Sequence, residues 1–171
     1  LVAVDQSSEH KRVFNLKTYI AEILRSLNPR LRRTRSSVEI DCPDDVELNS
    51  YPGAFSQVLT NLVMNSLTHG FDEGTPGHIA IAVSVMPHTL VLTYRDDGRG
   101  MSDEHVRRMF EPFFTTRRGQ GGSGLGLHVV YNVVTQTLGG HIEGSSTPGQ
   151  GVVFRIEIPY ERQQVNYERA A

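Results

Sequence analysis

Asn61, Asn65 and His69 recur every four residues beside the apolar positions Phe55, Val58, Leu59, Leu62, Val63 and Leu67. On an α-helix that spacing makes one polar stripe, drifting by about 40° per step along the edge of the buried face. An asparagine amide oxygen is a neutral, hard donor, and it suits a Mg²⁺ whose other ligands are waters and substrate phosphates. Taken alone, the stripe is equally well explained by loop capping or exposure to solvent.

Asp96 closes the apolar run TLVLTY and is followed by Asp97, Gly98, Arg99 and Gly100. A carboxylate in a largely apolar pocket accepts hydrogen bonds, so it selects the exocyclic amine of adenine and rejects the carbonyl that guanine carries there. The glycines let backbone approach a flat ring or adopt φ > 0. A plain Asp-Gly turn is the competing explanation.

GQGGSGLGL, residues 119–127, runs straight into an apolar helix. Free amides at a helix start, aided by the macrodipole, receive phosphate oxygens. Gly119, Gly121 and Gly124 formally fit G-x-G-x-x-G, with Glu143 near the spacing of a ribose-binding acid. No proper strand leads into that loop, which argues against a dinucleotide fold. No Lys-Ser/Thr follows the last glycine, which excludes a P-loop.

These groups must be positioned by a chain of 171 residues, 38% hydrophobic and 21% charged, which is ordinary globular usage for one domain. A formal charge of −2 offers no field for nucleic acid or acidic lipid, and neither partner is expected. Arg30, Arg32, Arg33 and Arg35 read as cations at a helix C-terminus. Cys42 is the one cysteine, so no disulfide framework or cysteine metal cluster is expected, in keeping with a reducing, cytoplasmic setting. No run reaches the length of a membrane span, and the first residues lack the cationic and apolar regions expected of a signal peptide. The start at Leu1 predicts a piece of a longer protein, whose parent is free to carry a membrane anchor.

Residues 1–13 read as a linker or the end of a preceding helical domain, 14–160 as the domain, and 161–171 as a tail. Leu16, Ile20, Leu24, Leu27 and Leu31 predict a helix over 16–33, bent or broken at Pro29. VEIDC and VELNS alternate as strands and are expected to pair across the PDD turn. Pro52 opens a helix to about His69. HIAIAVSVM and TLVLTYRD form an antiparallel hairpin, and Ser102 caps a short helix. Residues 111–124 read as a long loop, 125–138 as a helix ended by Gly139 and Gly140, and HIEGSS with GVVFRIEIP as a closing hairpin. Helices and hairpins come in blocks, which predicts an α+β sandwich with helices on one sheet face.

The order of these motifs resembles the catalytic, ATP-binding domain of sensor histidine kinases, within the Bergerat-fold (GHKL) superfamily. QVLTNLVMNSLTHG is similar to its N box, RDDGRGM to its first glycine box, MFEPFFTTRR to its F box and GGSGLGL to its second glycine box. The resemblance implies a two-layer α/β sandwich with a mixed, mostly antiparallel sheet. It implies ATP and Mg²⁺ as ligands, Asn65 as metal ligand, Asn61 supporting metal or phosphates, and these two as the catalytic pair. Asp96 would read the adenine amine, beside Gly98, Gly100 and Met101. Residues 111–124 would form a lid anchored by Phe110, Phe113 and Phe114. His69, Thr115, Thr116, Arg117, Gly122, Gly124, Leu125, Gly126 and Leu127 complete the expected nucleotide contacts.

Two positions depart from the family pattern. Thr68 replaces a lysine, leaving phosphate charge to His69, Arg117 or Arg118, and Val152 replaces a threonine of the last hairpin. Hydrolytic relatives carry a glutamate where this chain has Asn61, and an amide cannot take a proton from water. The resemblance therefore implies transfer to a histidine of a separate helical dimerisation domain, with a response regulator downstream. His10 is not set in a phosphoacceptor context. An ATPase clamp of the same superfamily and a non-catalytic ATP sensor remain the alternatives.

Overall fold

The computed structural model describes residues 10–115 and 122–162. Among them the strands are β1 (Arg12–Asn15), β2 (Ser37–Asp41), β3 (Glu47–Ser50), β4 (His78–Val85), β5 (Thr89–Asp96), β6 (His141–Ser146) and β7 (Val152–Pro159). The α-helices are α1 (Leu16–Arg33), α2 (Pro52–Asn65), α3 (Asp103–Arg108) and α4 (Gly126–Asn132). None of the described helices is long and apolar enough to cross a membrane.

The main sheet has the order β2-β4-β5-β7-β6. Its ladders are antiparallel except for the parallel pair β2–β4. Period-two alternation turns Ile79, Ile81 and Val83 of β4, Leu90, Leu92 and Tyr94 of β5, and Phe154, Ile156 and Ile158 of β7 into one core. The same cluster holds the buried residues of α1, α2 and α4, which makes a two-layer sandwich with helices on one face. The intervening Arg95 and Arg155 are exposed on the other. The expected α+β architecture is therefore present.

Three local expectations are corrected. β2 and β3 do not pair with each other: β2 runs parallel to β4, and β3 pairs antiparallel with β1, placing Phe14 opposite Leu48. Phe14 is buried edge-on against Tyr19 and Phe55, so aromatic packing draws β1 and β3 together. Arg12 and Val13, read as linker, thus begin a strand. α1 also passes through Pro29 without ending. The ring costs one i→i−4 bond, but Leu27 and Leu31 on either side are both buried, and their packing outweighs it.

The long helix expected to reach His69 changes character at Asn65, continuing as a π-helical turn over Ser66–Gly70. Its signature is the Phe71 N–H on the Ser66 carbonyl at 3.0 Å. A second π turn, Val133–Thr137, extends α4 before Gly139 takes φ +64. Wide turns of this kind are rare and concentrate at functional sites.

Candidate functional site

A cavity of about 610 Å³ opens between α2 with its π turn, the end of β5, the start of α3 and the 122–127 segment. That volume lies within the range of small-molecule sites. Asn61, Asn65, His69, Asp96, Gly100, Met101, Thr115, Gly122, Gly124, Gly126 and Leu127 line it. The polar stripe, the acid and the glycine-rich segment thus face one space.

Asp96 ends β5 on the core-facing row of Leu90, Leu92 and Tyr94 and is only 3% exposed. Its Oδ1 accepts the Gly98 N–H at 3.0 Å and the Val152 N–H at 3.2 Å. Its Oδ2 accepts the Ser66 hydroxyl at 2.6 Å. Val152, whose side chain lacks the usual hydroxyl, therefore contributes through its backbone. The Ser66 Oγ also lies 2.7 Å from the Tyr94 hydroxyl, which reaches the Leu62 carbonyl at 3.1 Å. Burial above all, with the nearby Asp96, pushes the Tyr94 phenol up despite the opposing Ser66 hydrogen bond, so Tyr94 keeps its proton.

The turn between β6 and β7 is stitched to the first glycine segment. The Arg99 N–H donates to the Gly70 carbonyl at 2.8 Å, and the Arg99 carbonyl accepts from the Gly149 N–H at 2.6 Å. The Met101 N–H donates to Ser146 Oγ at 2.7 Å. Gly100 takes φ +71, and a Cβ there would lie 2.2 Å from the Thr147 carbonyl oxygen. Asp97 is structural: its Oδ1 accepts the His78 N–H at 2.7 Å and extends the β4–β5 pairing.

Four predicted residues lie outside the lining. Gly98 backs onto the π turn, where a Cβ would meet the Gly70 oxygen at 2.3 Å, so its role is close packing beneath the pocket. Phe110 packs against Tyr131 and Phe154. Leu125 stands at the N-cap of α4 and gives its amide to Ser123 Oγ at 3.3 Å. Phe113 is 62% exposed with φ +63, so it does not anchor the lid by burial. Thr116, Arg117 and Arg118 lie outside the described residues.

Sequence reasoning missed Met64, Ser102, His105, Met109, Ser123 and Pro148, all of which line the cavity. Met64 sits at i+3 from Asn61 and could have been read from the stripe. The others come from loops and a short helix brought in by tertiary contacts. Arg99, held by Asp72 at 2.8 Å, is the guanidinium in the described lining, and His69, His105 and Thr68 are there too. Phe114 also lines the cavity, edge-on to His105 and under the Arg108 guanidinium at 4.5 Å.

The metal expectation fits this donor set. Among the described residues no group of three or more His, Cys, Asp or Glu side chains could hold an ion unaided. Amide oxygens completed by substrate oxygens and water match the coordination habit of Mg²⁺ rather than that of a dedicated cage.

Known proteins are similar to this chain in sequence and fold. Sporulation kinase A of Bacillus subtilis (strain 168) is 30% identical over 163 residues, covering 93% of this chain and 25% of that protein. The signal transduction histidine-protein kinase BaeS of Escherichia coli (strain K12) is 33% identical over 129 residues, 73% of this chain and 27% of that one. The chain thus spans about a quarter of the length of the curated relatives it matches. The solved catalytic domain of histidine kinase ThkA superposes with a TM-score of 0.77 at 28% identity, covering 90% of this chain and 97% of that one. ThkA solved in complex with the response regulator protein TrrA gives 0.73 at 26% identity, covering 90% of this chain and 43% of that one. A family profile matches residues 51–162, from the start of α2 to the end of the closing hairpin, and on that match the chain belongs to the histidine kinase-, DNA gyrase B-, and HSP90-like ATPase family.

Proposed function

We propose that this chain binds ATP with Mg²⁺ and donates the γ-phosphoryl to a histidine on a separate helical dimerisation domain, from which a response-regulator aspartate receives it. The observation that carries the reading is Asp96, a buried carboxylate at the cavity wall with one acceptor position left over from its three hydrogen bonds. That position suits the adenine amine, with Gly100 and Met101 beside the ring. Asn61 and Asn65 lie along the triphosphate, and Asn65 would hold the metal. When bound, the metal supplies charge neutralisation across the phosphates.

The chain's own residues position the nucleotide and exclude water, with Gly122, Gly124, Gly126 and Leu127 at the phosphates and His69 and Thr115 at their edge, where Thr116 would join them. Arg117 would add charge there. No carboxylate stands at Asn61 to deprotonate water, which favours transfer over hydrolysis, and a neutral imidazole needs no base to attack. Residues 14–160 would be the working domain, joined through 1–13 to the helical partner and followed by a tail over 161–171, on the cytoplasmic side of any anchor the parent carries. The complex of ThkA with a response regulator supports that downstream partner.

Labelled ATP, Mg²⁺ and a separately supplied helical phosphoacceptor domain test the reading. Label should move to the acceptor histidine with little free phosphate, and Asn65→Ala should lower transfer about 100-fold while ATP still binds. Sustained phosphate release without an acceptor would instead mark an ATPase, and ATP binding with no transfer to any acceptor a sensor.

A further inference from the structure

We infer that Ser66 and Tyr94 set the purine preference of the site, acting through Asp96 as positioning residues; the inference rests on the adenine reading above. Three contacts link Leu62 O, Tyr94 Oη, Ser66 Oγ and Asp96 Oδ2, at 3.1, 2.7 and 2.6 Å. Only two protons serve them, one on each hydroxyl. As a carboxylate Asp96 only accepts, so Ser66 gives it its single proton. The Ser66 oxygen is then left as an acceptor, and Tyr94 is its donor. Leu62 O already accepts the Ser66 N–H at the end of α2, so it is not stranded when the Tyr94 proton turns to Ser66. The proton order therefore runs one way, from the phenol to the acid.

A carboxylate offers about four lone-pair positions. Oδ1 is filled by the Gly98 and Val152 N–H groups, and Oδ2 is half-filled by Ser66. One position remains, on Oδ2, and the hydroxyl chain, pulling on Oδ2 while the two N–H groups hold Oδ1, completes the clamp that keeps the carboxylate from turning. A 6-amino purine supplies the donor that this position needs. A 6-keto purine sets a lone pair against it, and its N1–H is reached only by a carboxylate free to rotate. Ser66, backed by Tyr94, withholds that freedom, so these buried hydroxyls exclude 6-keto purines without touching the ligand.

Equilibrium binding of ATP and ITP to the parent chain and to Ser66→Ala, Ser66→Thr and Tyr94→Phe is the test, with folding checked by circular dichroism. The parent should prefer ATP. Ser66→Ala should shrink the ITP-to-ATP Kd ratio by about tenfold or more, the scale of a hydrogen bond to a charged group, with Tyr94→Phe moving the same way. Ser66→Thr, which keeps the hydroxyl, should hold the ratio within about twofold. Equal weakening of both nucleotides, an unchanged ratio in Ser66→Ala and Tyr94→Phe, or equal loss in Ser66→Thr would each overturn the inference. If Tyr94→Phe fails to fold, the two Ser66 variants decide. A parent without preference for ATP would refute the placement of adenine at Asp96 itself; a parent that discriminates alongside variants that still do so refutes only the hydroxyl chain.

Discussion

Replacing Asp96 by asparagine should reverse the site's choice of purine while leaving the fold standing. Oδ1 faces two N–H donors, at 3.0 and 3.2 Å, so the amide oxygen must take that side and the new NH₂ must take the place of Oδ2. There it meets Ser66 Oγ, a 2.6 Å contact in the parent, as a donor. Ser66 can respond by turning its proton to Tyr94, and Tyr94 by turning its own to the Leu62 carbonyl at 3.1 Å. Every buried group stays paired, so the structural cost is about 1 kcal/mol rather than the several expected of a stranded polar group. The remaining N–H now points where the spare lone pair was. ATP loses a charge-assisted acceptor worth about 1.5–3 kcal/mol and meets a like donor, so its affinity should fall about 100-fold, while a 6-keto purine gains a partner. Calorimetric titration with ATP and ITP reads both arms, and a thermal melt reads the fold. If Asp96→Asn bound ATP as the parent does, or lost both nucleotides equally, the assignment of acceptor and donor here would be refuted.

Other outcomes follow from close contacts and burial. Gly98→Ala should cost about 1–3 kcal/mol in a denaturant melt and weaken ATP binding, because a Cβ would meet the Gly70 oxygen at 2.3 Å and disturb an Asp96 donor. Gly126→Ala has nothing within 4 Å of the new methyl, so the melt should hold or rise by up to about 1 kcal/mol, and any loss of nucleotide would report direct contact. Leu59→Ala, at a fully buried position of α2, should destabilise by about 2–5 kcal/mol in the same melt. Burial pushes the Cys42 thiol up to about 11 from its ordinary 9.0, so at pH 8 it stays protonated. A disulfide reagent should modify it about a hundredfold more slowly in the native chain than in denaturant, the gap closing as pH rises toward 11.

Local order along the chain settled the type of most elements and the faces they present, though not β1 or the π turn after α2. Alternation from Leu90 through Leu92 and Tyr94 puts Asp96 on the core side of β5 whatever strands lie beside it. Four-residue spacing likewise keeps Asn61, Asn65 and His69 on one edge of a helix. Those periodicities act within a few residues, so they are legible without a fold.

Strand partners are another matter, since alternation names a face and not a neighbour. The parallel union of β2 with β4 and the meeting of β3 with β1 depend on which apolar surfaces close together across long stretches of chain. The same holds for the Ser66 and Tyr94 hydroxyls, 28 residues apart, and for His105, Met109 and Pro148 at the cavity wall. Gly98 shows the limit most plainly: its motif marked it as important, but only the approach of the Gly70 backbone shows that a Cβ has no room there.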